Sequence, residues 1–226
     1  MAIQIQFRRG TAAAWTSANP LLASGEPGLE TDTLKWKVGN GTQNWTALPY
    51  TLGSVPATAY GTTLPGSPAD GQEAILVDST TNPTYQWRFR YNAGSSSTYK
   101  WEYVGGSAAS NFIGTTESSS AASWVDLTTV GPQFTVPHAG DYLIQIDCAV
   151  QGASGWVHVG ATVGGSTGQP EATAYNASGQ FSSLAASRRV TGIAASTLVK
   201  MQYHSNGVAG VGYLFRSLNI TPVRVS

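Results

Sequence analysis

The stretch QFTVPHAGDYLIQIDCAVQG, residues 133–152, carries the clearest structural pattern of the 226-residue chain. Apolar and polar residues alternate before Pro137, and alternate again from Tyr142 to Val150, with Gly140 between the two runs. Alternation with a period of two is typical of a strand with one buried face, and proline and glycine mark turns. The stretch therefore predicts two strands joined by a tight turn.

The same alternation recurs later in the chain. It is present in WVHVGATVGG (156–165), in TLVKMQYHS (197–205) and in SLNITPVRV (217–225). Pro222 interrupts the last of these, which predicts a bulge or an edge position there. Many short strands separated by glycine turns favour a β-sandwich over residues 107–226.

The charge content and the length of the apolar runs bear on whether the protein binds nucleic acid or inserts into a membrane. Charged residues make up 11% of the chain, and 12 basic residues balance 12 acidic ones. An ordinary globular domain has about 25% charged residues. No broad positive field exists to attract nucleic acid. No apolar run reaches the ~20 residues that a membrane span needs. We therefore predict neither a nucleic-acid partner nor membrane insertion.

The N-terminal residues and the cysteine content bear on where the protein is made and whether it forms disulfides. The opening MAIQIQFRRG lacks the charged and apolar regions of a signal peptide, which predicts synthesis in a cytoplasm. Cys148 is the single cysteine, so an intrachain disulfide cannot form. Its apolar surroundings predict a buried, inert thiol.

Residues 1–50 predict a first small unit. IQIQF (3–7) alternates like a strand, and Thr11 is placed to cap a short helix that ends at Asn19. A hairpin is predicted to follow, turning at Asp32 and Thr33. In its second strand, LKWKV (34–38), the pattern directs Trp36 and Val38 inward and the two lysines toward water. The tryptophans are interpreted mainly as core, because so small a unit needs large aromatic side chains.

Residues 51–67 lack periodicity and predict a linker, and residues 68–106 predict a three-stranded meander. In TYQWRFRY (84–91) every second residue is aromatic, and YKWEYV (99–104) repeats the pattern. A meander cannot cover both of its own faces. Its aromatic face is predicted to meet another unit, another subunit or a ligand such as a sugar.

Catalytic patterns are missing from the sequence. We find neither a nucleophile with a base nor a metal-ligand spacing among the three histidines, and the glycine-rich run 164–168 lacks the lysine of a phosphate-binding loop. Asp141, His138 and His158 could be combined on paper into a metal or acid–base site, but they are interpreted as a turn acid and surface histidines. No catalytic, cofactor-binding or metal-binding residues are predicted.

Residues 7–50 contain a set of residues at characteristic spacing: Arg9-Gly10-Thr11, Trp15, Asn19-Pro20, Leu22, Gly25-Glu26, Gly28, Glu30-Thr31-Asp32, Lys37-Val38-Gly39, Gly41, Trp45 and Leu48-Pro49-Tyr50. Through these residues, the segment resembles a module at the N-terminus of bacteriophage tail-fibre and other virion appendage proteins. This resemblance implies a virion location and a docking role, for which Arg9, Trp15, Trp36 and Trp45 are the candidates. It implies no reaction.

Two further resemblances extend along the chain. Residues 68–106 resemble a module of phage tail and head-fibre proteins. Residues 107–226 look like the trimeric jelly-roll heads of the tumour-necrosis-factor and complement-C1q type. The cues for that head are Phe134, Val136-Pro137, Gly140, Tyr142, Leu218 and Ile220. A head of this type implies three copies around a three-fold axis.

Together these patterns predict a mainly β protein with two small N-terminal modules (1–50 and 68–106), a linker (51–67) and a jelly-roll head (107–226). The predicted function is that of a non-enzymatic bacteriophage virion protein, either a short tail fibre or receptor-binding protein, or a capsid fibre or decoration protein. A glycan-degrading tail enzyme is a less favoured third reading.

The expected partners are further copies in a homotrimer, other virion proteins of the tail, baseplate or capsid, and a host cell-surface glycan. Four residues of the head are candidates for partner contacts because they are aromatic or imidazole side chains on strand faces or loops: Trp156, His158, Tyr175 and His204.

Overall fold

A computed structural model describes residues 7–51, 58–152, 154–177 and 179–226. The chain divides into two compact units, residues 1–57 and 58–226. The described chain is mainly β, as predicted, and most of its strands lie in the second unit.

The first unit contains a three-stranded sheet and two short helices. Its elements are β1 (Arg8–Gly10), α1 (Ala12–Ala18), β2 (Pro27–Glu30), β3 (Trp36–Val38) and a 3-10 helix (Trp45–Ala47). The sheet order is β1-β2-β3, with β1 parallel and β3 antiparallel to β2. The predicted hairpin is thereby confirmed. Most of the predicted strand 3–7 lies outside the described residues.

Helix α1 begins and ends as its sequence predicts. The Thr11 side chain accepts a hydrogen bond from the Ala14 amide, which satisfies one free N–H of the first turn. Asn19 adopts the left-handed conformation at the C-terminal cap, and its N–H donates to the Trp15 carbonyl.

Two stacked tryptophans form most of the first core. The rings of Trp15 and Trp45 are nearly parallel at 14°, with centroids 4.1 Å apart, and both residues are buried. Leu22 and Leu48 complete the cluster. A Cβ on Gly28 would lie 2.6 Å from the Trp45 ring, so only glycine permits this approach of strand to ring. The interpretation of the tryptophans as core is confirmed for this pair.

The predicted facing of the hairpin is wrong at Lys37 and Val38. Lys37 is only 6% exposed, whereas Val38 is 37% exposed. The Lys37 Nζ donates to the Trp45 carbonyl at 2.8 Å and lies 4.5 Å from the centroid of the Tyr50 ring. A carbonyl and two π-faces replace water around the ammonium group, which makes its burial tolerable. Burial lowers the pKa of Lys37 below its ordinary value.

Thirteen strands lie in the described residues of the second unit. They are β4 (Ala59–Gly61), β5 (Glu73–Val77), β6 (Gln86–Tyr91), β7 (Trp101–Gly106), β8 (Ala109–Ile113), β9 (Glu117–Ser119), β10 (Gln133–Thr135), β11 (Gly140–Gly152), β12 (Gly155–Val163), β13 (Glu171–Asn176), β14 (Gln180–Ile193), β15 (Leu198–His204) and β16 (Val211–Val225).

The strand order is that of a jelly roll. One sheet has the order β10-β15-β12-β13, and the other has β14-β11-β16, with β8 and β9 paired to the far side of β16. From β8 to β16, the chain passes repeatedly between the two sheets, as in a double Greek key. Side chains from both sheets fill one buried core. The jelly-roll prediction is confirmed by this topology.

The meander of β5, β6 and β7 continues the larger sheet. Its last strand pairs with the end of β16, where Trp101 faces Val225. Trp87 is fully buried, and its ring centroid lies 6.3 Å from that of Tyr142 and 6.0 Å from that of Phe134. The jelly roll itself therefore covers the aromatic face.

This arrangement differs from the predicted division at residues 106 and 107, because the meander and the jelly roll share one sheet and one core. The predicted linker 51–67 also contains a strand, β4, which pairs in parallel with β5. Residues 52–57 of that linker lie outside the described residues.

Strand β16 carries two irregularities. Next to Pro222, the pairing with β11 skips Val223, so the predicted bulge is confirmed, although β16 lies inside the sheet and not at its edge. A second shift lies opposite Cys148, where Phe215 has a φ of 47°. Cys148 is buried as predicted, and its burial raises its pKa to about 12.

Candidate binding surface

The structure brings the four candidate contact residues together. They lie on the outer face of the four-stranded sheet, where Trp156 of β12 is directly opposite Tyr175 of β13. Two residues further along β12, His158 is directly opposite His204 of β15. Residues two apart on a strand share a face, so the four side chains form one continuous surface.

Trp156 and Tyr175 are open to solvent. They are 53% and 58% exposed, their ring centroids are 5.6 Å apart, and the ring planes meet at 80°. The edge-to-face arrangement is favourable between the rings and leaves ring surface uncovered. We call these two residues the aromatic pair.

Polar groups lie beside the aromatic pair. The Nδ1 atom of His158 is 3.0 Å from the Glu171 carboxylate and 2.8 Å from the Thr173 hydroxyl. Its Nε2 atom is 3.3 Å from the Asn206 side-chain nitrogen. Glu171, Thr173 and Asn206 are exposed. We call these three residues the polar row.

The polar row was not predicted from the sequence. Thr173 and Glu171 precede Tyr175 by two and four residues in EATAYN, so their alternation with Ala172 and Ala174 already placed them on the tyrosine's face. Asn206 had no such signal, because its position depends on the turn after β15.

Trp124 covers the two histidines. Their rings are stacked, with centroids 4.9 Å apart, and the Trp124 ring lies 5.8 Å from His204. A Cβ on Gly160 would lie 2.8 Å from the Trp124 ring, so glycine makes room for the tryptophan. The histidines are therefore mainly packed, and the aromatic pair and polar row form the accessible part of the surface.

A second surface lies on the outer face of the larger sheet. Three phenylalanines are exposed there: Phe112 at 60%, Phe181 at 63% and Phe215 at 58%. Most of the side chains between them are small, such as Ser183 and Ala185 on β14. Isolated exposed apolar residues are common, and a contiguous patch of them marks interaction sites. We call these three residues the phenylalanine face.

The four docking candidates of the first unit differ in accessibility. Trp15 and Trp45 are 4% and 1% exposed and belong to the core. Trp36 is half-buried, 6.1 Å from the Phe7 ring. Arg9 is exposed. Only Arg9 and the open part of Trp36 can contact a partner directly.

Two features are absent from the described residues. No group of three or more His, Cys, Asp or Glu side chains is arranged there to hold a metal ion. None of the helices in the same residues has the length and apolar character needed to cross a membrane.

A known family model matches part of the first unit. Residues 5–43 match the family model of the major tropism determinant N-terminal domain. The predicted resemblance of this region to a phage appendage module is thereby confirmed. The match covers the module alone and does not extend to the second unit.

Two solved structures are distantly similar to the chain. The globular domain of zebrafish complement 1qA has a TM-score of 0.38 and 11% identity, covering 53% of this chain and 99% of its own. The infectious bursal disease virus Gx strain structure has a TM-score of 0.28 and 13% identity, covering 89% and 66%. TM-scores this low support no conclusion about function. The assignment of the jelly roll depends on the strand order alone. No curated protein matches significantly.

Proposed function

We propose that the chain is a non-enzymatic bacteriophage virion protein, a short tail fibre or receptor-binding protein that attaches the particle to its host. The observation that carries this proposal is the match of residues 5–43 to the N-terminal domain of a tropism determinant. The unit that contains these residues is followed in the chain by a jelly-roll unit that exposes the aromatic pair.

Each unit has a separate part in this function. The first unit docks to tail, baseplate or capsid proteins through exposed groups such as Arg9, while its stacked tryptophans keep the module folded. The second unit presents the aromatic pair and polar row to the host. Attachment needs only binding, which these groups can supply without a reaction.

The phenylalanine face supports a homotrimer. Phe112, Phe181 and Phe215 would be buried against neighbouring copies, at about 25 cal/mol for each Å² of apolar surface removed from water. Small side chains between them allow the sheets of adjacent copies to approach closely. The four-stranded sheet with the aromatic pair is then left facing outward.

A capsid fibre or decoration protein is the second candidate. One observation favours it: the described residues contain neither a coiled coil nor a repeated shaft, and the longest helix among them has seven residues. A long tail fibre normally needs such a shaft to reach the host. A short protein can be mounted on either the tail or the head.

Immunogold labelling of intact particles, with antibody against residues 58–226 and pre-immune serum as control, separates the candidates. Gold at the tail tip or baseplate, together with antibody block of adsorption, is the expected result. Gold spread over the head would transfer the assignment to a capsid protein. Particles without specific label would contradict a virion location altogether.

A further inference from the structure

We infer that the aromatic pair and the polar row form a glycan-binding site, in which a sugar ring packs on Trp156 and Tyr175 and its hydroxyl groups bond to the polar row. The inference rests on the proposed function and assigns the class of receptor. It places the contact on the outer face of β12 and β13 in the second unit.

The aromatic pair suits one side of a sugar. A pyranose ring has a flat face of C–H groups, which gains by packing on an aromatic face, and a rim of hydroxyl groups that must stay hydrogen-bonded. Because the planes of Trp156 and Tyr175 meet at 80°, one ring meets the other by its edge, and the pair still presents ring faces to solvent. Both rings are more than half exposed and need no movement to receive a ligand.

The polar row suits the hydroxyl rim. Thr173 is two residues from Tyr175 on β13, which is about 6.6 Å along a strand. Glu171 accepts hydrogen bonds, while Thr173 and Asn206 can both donate and accept. Contact with His158 holds each of the three in place, at 2.8 to 3.3 Å. Donors and acceptors are thus oriented beside an apolar platform, the combination that orients small polar ligands in binding sites.

Charge on this face disfavours a phosphorylated or nucleic-acid ligand. Across strands β12, β13 and β15, Lys200 is the one lysine or arginine, and its Nζ is paired with the Asp126 carboxylate. Glu171 adds a negative charge beside the aromatic pair. A phosphate would therefore meet repulsion and no free cation. An uncharged or positively substituted polysaccharide fits better.

The test uses the full-length protein and cells of the bacterium that the particle infects. Cells are treated with periodate, which cleaves vicinal diols of sugars, or with protease followed by washing. We expect periodate to abolish binding of the wild-type protein and protease to leave it unchanged. Loss of binding after protease alone would assign the receptor to protein and overturn the glycan inference.

Variants locate the site. Trp156→Ala combined with Tyr175→Ala is expected to weaken cell binding about tenfold or more, as loss of exposed aromatic anchors commonly does. Glu171→Gln, which keeps the side-chain shape, is expected to weaken it severalfold. Tyr60→Ala is the matched control, since Tyr60 is 48% exposed on β4, outside this sheet. Melting temperatures verify that each variant is folded.

The outcomes separate this inference from the proposed function. If the double variant and Glu171→Gln bind untreated cells as the wild type does, the glycan site is wrong while the attachment function stands. If the wild-type protein binds no cells, both fail. If Tyr60→Ala loses binding equally, the contact lies elsewhere in the second unit and the site assignment is again wrong.

Discussion

Arg216 and Glu117 form an ion pair in the interior of the second unit. The Nη1 atom of Arg216 lies 3.4 Å from the Glu117 carboxylate, and the arginine side chain is completely buried. Its guanidinium also donates to the carbonyls of Thr115 and Thr129 and lies 5.6 Å from the centroid of the Tyr203 ring. The bulge opposite Cys148 turns this arginine inward, so a single charged residue ties β16 to β9 and to the segments before and after β9.

Glu117→Gln is expected to lower the free energy of unfolding by about 3 kcal/mol at pH 7, because it leaves the charge of Arg216 buried without its partner. Urea unfolding measures the difference. Glu73→Gln is the control: its pair with Arg88 is largely open to water and contributes under about 1 kcal/mol. Equal effects of the two substitutions would contradict the structural importance of the buried pair.

The ion pair of Arg216 and Glu117 predicts that the stability of the protein depends on pH. Burial favours the neutral form of Glu117, but hydrogen bonds from Thr129 and the charge of Arg216 outweigh it and lower its pKa below the ordinary 4.5. A depressed folded pKa stabilises the protein above the unfolded value, and this stabilisation is lost as the pH falls through the folded value. The difference between wild type and Glu117→Gln should therefore shrink below pH 4.5. If the difference in free energy of unfolding between the two proteins stays constant down to pH 3, the predicted pH dependence is wrong.

Lys37→Ala is expected to destabilise the first unit by about 1–3 kcal/mol, because the Trp45 carbonyl loses its buried donor. Lys35→Ala should change stability by about 0.5 kcal/mol or less, since Lys35 is exposed. Thermal unfolding followed by tryptophan fluorescence compares the two variants. A larger loss of stability in Lys35→Ala than in Lys37→Ala would contradict the burial of Lys37.

Gly39→Ala is expected to destabilise the first unit by about 1–3 kcal/mol or more through overpacking. A Cβ there would lie 2.2 Å from the Ala23 carbonyl oxygen and 2.5 Å from the Leu22 Cβ, and the backbone atom cannot move aside cheaply. Gly10→Ala is the control, because its nearest atom would be 3.5 Å away, an ordinary contact. Similar melting temperatures for both variants would show that the unit can relax around residue 39.

Trp87→Ala is expected to cost about 3–5 kcal/mol and to destabilise the meander and the jelly roll together. Trp87 is fully buried in the core that both share. Hydrogen exchange of β6 and of β11 should accelerate together, whereas Arg90→Ala, on the exposed face of β6, should leave both unchanged. Faster exchange in β6 alone would show that the meander folds independently.

The phenylalanine face predicts the oligomeric state. Light scattering should give a trimer for the wild type and a monomer when Phe112, Phe181 and Phe215 are all changed to serine. Changing Trp156 and Tyr175 to serine, which removes exposed aromatic residues from the other sheet, should keep the trimer. A monomeric wild type would remove the homotrimer from the proposal.

Sequence patterns were most informative where the cause is local. The cap at Thr11 and the end at Asn19 depend on atoms within one helical turn, and both were predictable. The alternating residues of β11 and β15 also lie on the faces predicted for them, because a strand has only two faces. The alternation failed at Lys37, where Trp45 and Tyr50 decide which face is buried.

The sequence by itself determined the strand-rich class, the small aromatic core of the first unit and the alternating strands of residues 107–226, because periodicity and turn residues act over short distances. The jelly roll was implied by resemblance, and its strand order is a property of the tertiary structure. Only the tertiary structure decided what covers the meander, that Arg216 lies inside, and that Trp156, Tyr175 and Glu171 share one surface. These relationships join residues that are distant in the chain. They follow from strand register and from packing between sheets, which no local pattern specifies.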